Sequence, residues 1–285
     1  MSRSRLCAGL AALAVVAGVA AEADAAGGAA LSNRLTVIIG AHSLRVVGHP
    51  HPGRIEITVT NTSDAAGEFS FQLLKPGATA ARVLAALRTR GEGAANALLA
   101  GDSDAEGYAE PAIVGAHAST TIVTTGAVRA GHYVAGSFLP GANGKPQALS
   151  GRFAAFTIAG AAATATPAPV SGTITLADRR IVLPHGFSGS GTYAVSNAGT
   201  RPHSLSLASL RPSGSLQALF SCVGASFGRR KTIDRCPGRL IGGVDTLRPG
   251  ATAYIVLHLA HGRYGYVSTD GNDFAAGLRG SVVLS

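Results

Sequence analysis

The stretch LRPGATAYIVLHLAHGRY, residues 247–264, is the part of the sequence that indicates the fold most clearly. A Pro-Gly turn opens it, an apolar run rich in β-branched residues follows, and a Gly-x-Tyr sequence then begins a second strand-like run. The Gly-x-Tyr sequence also occurs at residues 131–133, and in both places a serine follows the tyrosine by four residues, Ser137 and Ser268. The same strand pattern is therefore predicted twice.

Earlier landmarks repeat in the same order. Two strand-like runs end in Asn61 and Asn197, and a Leu-basic-Pro turn begins thirteen residues after each, at Leu74 and Leu210. A short apolar helical pattern follows each turn, at 80–87 and at 215–221. Because the other runs are rich in Val, Ile, Thr, Tyr and Phe and are bounded by turn residues, we expect an all-β fold. It would consist of two tandem Greek-key β-sandwiches, each with one short crossover helix.

The composition of the chain suggests where these units begin and end. Residues 1–25 combine two arginines, a short apolar run and small residues, which is typical of a cleaved secretory signal. Residues 160–171 are rich in Ala, Thr and Pro and predict a linker. We therefore predict a first domain at 26–159 and a second at 172–285. The expected localisation is extracytoplasmic, at the cell envelope of a bacterium, with no membrane-spanning segment in the mature chain.

Two cysteines remain after the predicted signal, Cys222 and Cys236. An extracytoplasmic compartment permits disulfides, and two thiols are too few for a zinc site. We expect one disulfide, which stabilises the second domain by about 3 kcal/mol through loop-closure entropy. The loop that it closes contains several basic residues.

The order of turns, strands and helix resembles the cupredoxin family, the blue-copper β-sandwiches related to plastocyanin and azurin. The segment 247–264 is similar to the turn and strand that lead to the copper-binding loop of that family. The resemblance implies two His, one Cys and one Met as copper ligands in each domain. At the implied Cys positions this chain has Ser137 and Ser268, and at the implied first-His positions it has Glu68 and His203.

Because a serine hydroxyl is a poor substitute for a thiolate, neither domain is expected to hold a type 1 copper ion, and no cofactor is predicted. Five histidines remain as weak candidate ligands for copper or zinc: His49, His51, His203, His258 and His261. A copper or zinc carrier that uses the pairs His49/His51 or His258/His261 is the alternative function.

The formal net charge of +9 favours association with anionic surfaces such as envelope polymers. Dense basic runs interleaved with aromatic residues are absent from the sequence, so a nucleic-acid partner is not expected. Catalytic motifs such as Gly-x-Ser-x-Gly, His-Glu-x-x-His or a P-loop are also absent, and we expect no enzyme.

The leading interpretation is a secreted, non-enzymatic envelope protein that binds an anionic polymer or another secreted protein, or has a structural role. A degenerate multicopper oxidase is a weaker alternative, because only one His-x-His sequence is present. Immunoglobulin- or fibronectin-like adhesive modules are another alternative. A parallel pairing of the first and last strands, together with the crossover helix, would favour cupredoxin-like sandwiches over these modules.

Overall fold

The computed structural model describes residues 33–101, 108–141, 143–229 and 236–285. The predicted signal at 1–25 and most of the basic loop between the two cysteines lie outside these residues. We call residues 33–158 the N-terminal half and residues 170–285 the C-terminal half.

Short strands make up most of the N-terminal half. Its elements are β1 (Arg34–Ile39), β2 (Leu44–Val47), β3 (Glu56–Asn61), β4 (Ser70–Leu74), α1 (Ala80–Arg90), α2 (Glu92–Asn96), β5 (Leu99–Gly101), β6 (Glu110–Pro111), β7 (Ser119–Val123), β8 (Gly131–Gly136), a 3-10 turn η1 (Gln147–Ser150) and β9 (Phe153–Ile158).

The C-terminal half follows a similar order of elements. These are β10 (Val170–Ala177), β11 (Arg180–Val182), β12 (Ser190–Asn197), β13 (His203–Leu210), α3 (Leu216–Arg229), β14 (Gly238–Leu247), β15 (Thr252–His258), β16 (Gly262–Val267), α4 (Asp273–Ala276) and β17 (Arg279–Leu284).

Each half is a sandwich of two sheet layers. In the first layer the strands run in the order β2-β1-β3-β7 in the N-terminal half and β11-β10-β12-β15 in the C-terminal half. In the second layer the orders are β5-β4-β8-β9 and β14-β13-β16-β17. The strand β1 pairs in parallel with β3, and β10 pairs in parallel with β12, whereas the remaining pairs are antiparallel among the described strands.

This topology confirms the predicted all-β, cupredoxin-like sandwich with a crossover helix. The parallel pair differs in one detail from the expectation, because it joins the first and third strands of each half rather than the first and last. The tandem duplication itself stays a prediction that rests on the matching landmarks.

Buried and less buried residues alternate along the strands of the sheets. In β3, Ile57 and Val59 are fully buried, whereas Thr58 faces the other way and its hydroxyl lies 2.9 Å from the Thr121 hydroxyl on β7. A strand with period-two burial presents one face to the core and the other to a polar environment. The core of the N-terminal half adds stacked aromatic rings, such as Phe71 on Tyr108.

The helix α1 confirms the first predicted crossover helix and extends it from residue 87 to Arg90. Thr79 caps its start, since the Thr79 hydroxyl accepts a hydrogen bond from Arg82 N. Val83 and Leu87 are buried against the second sheet layer. In the C-terminal half α3 occupies the same place in the order, and it is longer than the predicted segment 215–221.

The two halves share sheets rather than standing apart as separate domains. The strand β15 pairs with β7, which produces one continuous eight-stranded sheet, and β6 of the N-terminal half pairs with β14 of the C-terminal half. The segment predicted as a linker is also bonded to the N-terminal half, since Ala163 N donates to Pro52 O and Ala165 N donates to Arg54 O. The boundaries at 159 and 172 stay a prediction.

Candidate functional site

The candidate site of the C-terminal half lies at one end of its second sheet layer. His203 begins β13, Ser268 directly follows β16, and Asp273 is the first residue of α4. Because β13 and β16 are antiparallel, the start of the first strand and the end of the second meet at the same edge. The short α4 then turns Asp273 back towards both, and all three side chains are almost completely buried.

These three residues form one hydrogen-bonded network. The Nδ1 atom of His203 lies 2.6 Å from Asp273 Oδ2, and the Ser268 hydroxyl donates to the same oxygen at 2.6 Å. The backbone N–H of Ser204 donates to Ser268 Oγ at 3.0 Å. The serine hydroxyl therefore points at the carboxylate and not at the imidazole, so the arrangement is not that of a nucleophilic serine activated by a histidine base.

A second carboxylate approaches the other nitrogen of the ring. Asp178, in the turn between β10 and β11, places Oδ1 3.1 Å from His203 Nε2. Hydrogen bonds from the backbone N–H and hydroxyl of Thr200, together with the one from His203, lower the pKa of Asp178 to about 2. The imidazole is thus held between two carboxylates.

Asp273 also has a cationic neighbour at the surface. The Arg201 guanidinium lies 3.5 Å from Asp273 Oδ1. A buried carboxylate is tolerated in a protein only when it is paired and hydrogen-bonded, and Asp273 meets this condition through His203, Ser268 and Arg201.

The corresponding place in the N-terminal half contains a different set of residues. Ser137 directly follows β8, as Ser268 follows β16, and its hydroxyl donates to Gln147 Oε1 at 2.8 Å. Its oxygen accepts a hydrogen bond from the backbone N–H of Glu68 at 3.2 Å, as Ser268 accepts one from Ser204. Ser137 and Ser268 therefore occupy equivalent positions, as the sequence predicted.

A buried arginine completes this second network. The Arg152 guanidinium donates to Gln147 Oε1, to Ala66 O at 2.9 Å and to Ser63 Oγ at 2.6 Å. Only 3% of Arg152 is exposed. The sequence alone did not identify a role or a partner for Arg152 or Asp273.

Glu68 lies beside this network and faces the C-terminal half. Its Oε2 accepts a hydrogen bond from Phe138 N at 2.9 Å, but burial outweighs that bond and raises the pKa of Glu68 to about 7. Asp245 contributes to the shift through charge repulsion. Glu68 and Asp245 both line a cavity of about 270 Å³ between the halves. Burial also raises the pKa of Asp270, to about 6.

Neither network fits the copper ion that the family resemblance implies. A type 1 site needs two imidazoles and a thiolate. The C-terminal position offers one imidazole with both nitrogens close to carboxylates, and the hydroxyl of Ser268. The N-terminal position offers an amide, a guanidinium and the hydroxyl of Ser137.

The other candidate histidines lie away from these networks. His49 is exposed and His51 is half-buried just before β3, while His258 and His261 are exposed around the end of β15. Across the described ranges, no group of three or more His, Cys, Asp or Glu side chains is arranged to hold a metal ion. Metal binding by the two histidine pairs stays a prediction.

The predicted disulfide is confirmed. Cys222 on α3 is bonded to Cys236, two residues before β14 begins. The bond ties the crossover helix to the strand that joins the two halves. In the described part of the chain, the helices are all too short or too polar to cross a membrane.

No family model matches the chain, and no curated protein matches it. Among solved structures, dithionite-reduced auracyanin from the photosynthetic bacterium Roseiflexus castenholzii is 16% identical, with 41% of this chain and 99% of that chain covered and a TM-score of 0.29.

Two larger structures match most of this chain. A multicopper oxidase is 10% identical, with 88% of both chains covered and a TM-score of 0.23. A copper-containing nitrite reductase from Thermus scotoductus SA-01 is 8% identical, with 88% of this chain and 60% of that chain covered and a TM-score of 0.24.

These two matches contradict the expectation that the chain is not an enzyme, because the proteins they name are enzymes. We therefore do not retain that expectation. Similarity at this level assigns no reaction and no copper site to this chain. The fold rests on the strand order and the parallel pairs described above, and by these criteria the chain consists of cupredoxin-like β-sandwich domains.

Proposed function

We propose that this protein is an extracytoplasmic binding protein of the cell envelope that associates with an anionic polymer. In this proposal the cupredoxin-like sandwiches are copper-free scaffolds, and the networks around Ser268 and Ser137 stabilise the ends of the sheets where a metal would otherwise lie.

The observation that carries the proposal is the surplus of exposed, unpaired arginines. Several of them have neither an acidic nor a hydrogen-bonding partner for their guanidinium in the part of the chain that the structure describes: Arg45, Arg88, Arg180, Arg211 and Arg239. Unpaired guanidinium groups on a protein of formal net charge +9 attract polyanions over distances of about a Debye length, roughly 10 Å at 0.1 M salt.

The disulfide agrees with the proposed compartment. Disulfides such as Cys222–Cys236 persist in oxidising, extracytoplasmic environments and are rare in the cytosol. The bacterial origin and the cleaved signal belong to the same proposal.

Co-sedimentation with purified envelope fractions tests the proposal. We expect the protein to bind at low ionic strength and to be released as the salt concentration rises, because the attraction is between exposed charges. A neutral polysaccharide of similar size is the control. Absence of sedimentation at low salt, or equal sedimentation with the neutral polysaccharide, would contradict the proposal.

A further inference from the structure

A cavity of about 300 Å³ lies where the two halves meet at the far ends of β13 and β14. Two arginines line it, Arg211 just after β13 and Arg239 on β14. Ser209 pairs with Arg239 across the two strands, and Arg211 follows Ser209 by two residues, just beyond the end of β13. Diagonal positions of paired strands are about 7–8 Å apart at the backbone, within the reach of long side chains.

Small residues from the N-terminal half form the opposite wall. Gly115 N donates to Leu240 O at 3.1 Å, and a Cβ at position 115 would lie only 2.2 Å from that carbonyl oxygen. The close approach of the two halves therefore requires glycine there. Ala66 and Ala116 complete the wall, and their short side chains leave room in the cavity.

The charge of this cavity is unbalanced. None of its described lining residues is acidic, and neither Arg211 nor Arg239 has an ionic or hydrogen-bond partner for its guanidinium among the described residues. A second arginine-lined cavity, of about 600 Å³, differs in this respect: Asp270 and Asp273 line it as well, and Arg201 is already paired with Asp273.

A disulfide bond fixes the backbone near Arg239. Cys236 precedes Arg239 by three residues and is bonded to Cys222 on α3. Leu240, the neighbour of Arg239, is buried in a cluster with Leu219 and Val223 of the same helix. A backbone that is already fixed before binding lowers the entropic cost of binding a ligand.

We propose that Arg211 and Arg239 form a binding site for a phosphate group carried by the anionic polymer. This inference rests on the proposed function and locates its binding site. A carboxylate offers two coplanar oxygens, which a single guanidinium fork can occupy, whereas a phosphate presents its oxygens in tetrahedral directions and accepts from two forks at once. A cavity flanked by two unpaired guanidinium groups therefore suits phosphate better than carboxylate.

The test compares three forms of the full-length protein: wild type, Arg211→Gln/Arg239→Gln, and Arg45→Gln/Arg180→Gln. The last is a matched control, because it removes the same charge from exposed residues of β2 and β11, at opposite ends of the eight-stranded sheet. Thermal unfolding of all three forms verifies that the fold is intact.

Inorganic phosphate is titrated first, by calorimetry at low ionic strength. We expect Arg211→Gln/Arg239→Gln to bind phosphate about tenfold or more weakly than wild type, since charge-assisted hydrogen bonds are lost. The control should change the affinity less than about twofold, through screened long-range charge alone. Equal weakening in both variants would overturn the site.

Polyphosphate and a polyuronate of matched charge density are then compared by co-sedimentation, to separate the two chemistries. Stronger binding of polyphosphate that depends on Arg211 and Arg239 would support the proposal. Stronger binding of the polyuronate that depends on the same residues would overturn the assignment to phosphate.

The design also separates this inference from the proposed function. If wild type binds the polymers but Arg211→Gln/Arg239→Gln binds them as well as the control does, the site is wrong and the envelope function stands. If wild type binds neither polymer at low salt, the polymer-binding function is wrong, and the phosphate titration alone decides whether the cavity binds an anion.

Discussion

The two halves fill the same position in the sandwich with different polar side chains. At the end of the second sheet layer, the C-terminal half surrounds Ser268 with a histidine between two carboxylates, whereas the N-terminal half surrounds Ser137 with an amide and a buried arginine. In both halves the serine oxygen accepts a hydrogen bond from a backbone N–H, that of Glu68 just before β4 and that of Ser204 in β13. The backbone contact is thus common to both halves, and the side chains around it differ.

The same buried position at the end of a sheet can therefore be filled by two different sets of polar side chains. Polar groups buried at such a position must satisfy one another, because an unpaired donor or acceptor in the interior costs about 1–3 kcal/mol and an unpaired charge costs more. The C-terminal network contains paired charges. It should therefore lose more stability than the N-terminal network when one of its members is removed.

The largest effect is expected at Asp273. Asp273→Ala removes the acceptor shared by His203 and Ser268 and the partner of Arg201, and should lower the free energy of unfolding by about 3–5 kcal/mol. Gln147→Ala is the matched change in the N-terminal half and should cost about 1–3 kcal/mol, because Arg152 keeps its other acceptors. Urea unfolding measures both; a larger loss for Gln147→Ala would contradict the comparison.

Replacement of Arg152 tests the contribution of the cationic member of the N-terminal network. Arg152→Met should cost about 3 kcal/mol, because the carbonyls of Gly40 and Ala66 and the hydroxyl of Ser63 lose their donor in the interior. Arg152→Lys should recover part of the loss. If Arg152→Met unfolds at the same urea concentration as wild type, the guanidinium is not a structural part of this network.

The pH dependence of stability should distinguish Glu68 from Asp178 by its sign. Glu68 has its pKa raised from 4.5 to about 7 in the folded protein, so the unfolded chain releases this proton first as the pH rises. The stability from Glu68 is therefore present below about pH 4.5 and is lost by about pH 7, a change of about 3 kcal/mol. Asp178 acts oppositely: its pKa is lowered to about 2, so its contribution is present above its ordinary pKa of 3.8 and is lost as the pH falls towards 2.

Unfolding measured from pH 2 to pH 8 checks these signs. Glu68→Gln should reduce the loss of stability between pH 4.5 and 7 and leave the loss of stability below about pH 4 unchanged. Asp178→Asn should reduce only the loss of stability below about pH 4. A decline between pH 4.5 and 7 that Glu68→Gln leaves as steep as in wild type would show that Glu68 titrates normally.

The smallest effect is expected from the serines themselves. Ser268→Ala removes a hydrogen bond to a carboxylate and should cost about 2 kcal/mol, whereas Ser137→Ala removes one to a neutral amide and should cost about 1 kcal/mol. Chemical unfolding of the two variants under identical conditions gives the difference. The reverse order would contradict the view that the C-terminal network is the more strongly ionic.

The sequence predicted most of the strands, both crossover helices and the equivalent serines, because each depends on local periodicity or on spacing from a turn. It did not predict the short strands β2, β5 and β6. It also did not predict β14, which runs through Gly242 and Gly243. Glycines are typical of loops, and here both have positive φ values and lie against Thr120 and the Leu205 carbonyl, closer than a side chain would permit.

The site was predictable only in part, for a related reason. Spacing after the Gly-x-Tyr strands identified Ser137 and Ser268, but the partners of His203 come from a turn 25 residues earlier and a helix 70 residues later. Only the folded sheet edge brings Asp178 and Asp273 together. The pairing of β7 with β15 was likewise not predicted, because strand edges carry no marker of their partner in another half of the chain.

A Cu(II) titration of the wild-type protein followed by electron paramagnetic resonance, with His203→Gln in parallel, tests whether the C-terminal network excludes copper. We expect that no copper signal of the wild type depends on His203, because the ring is buried with both nitrogens held by carboxylates. A copper signal that is present in wild type and lost in a folded His203→Gln variant would contradict it.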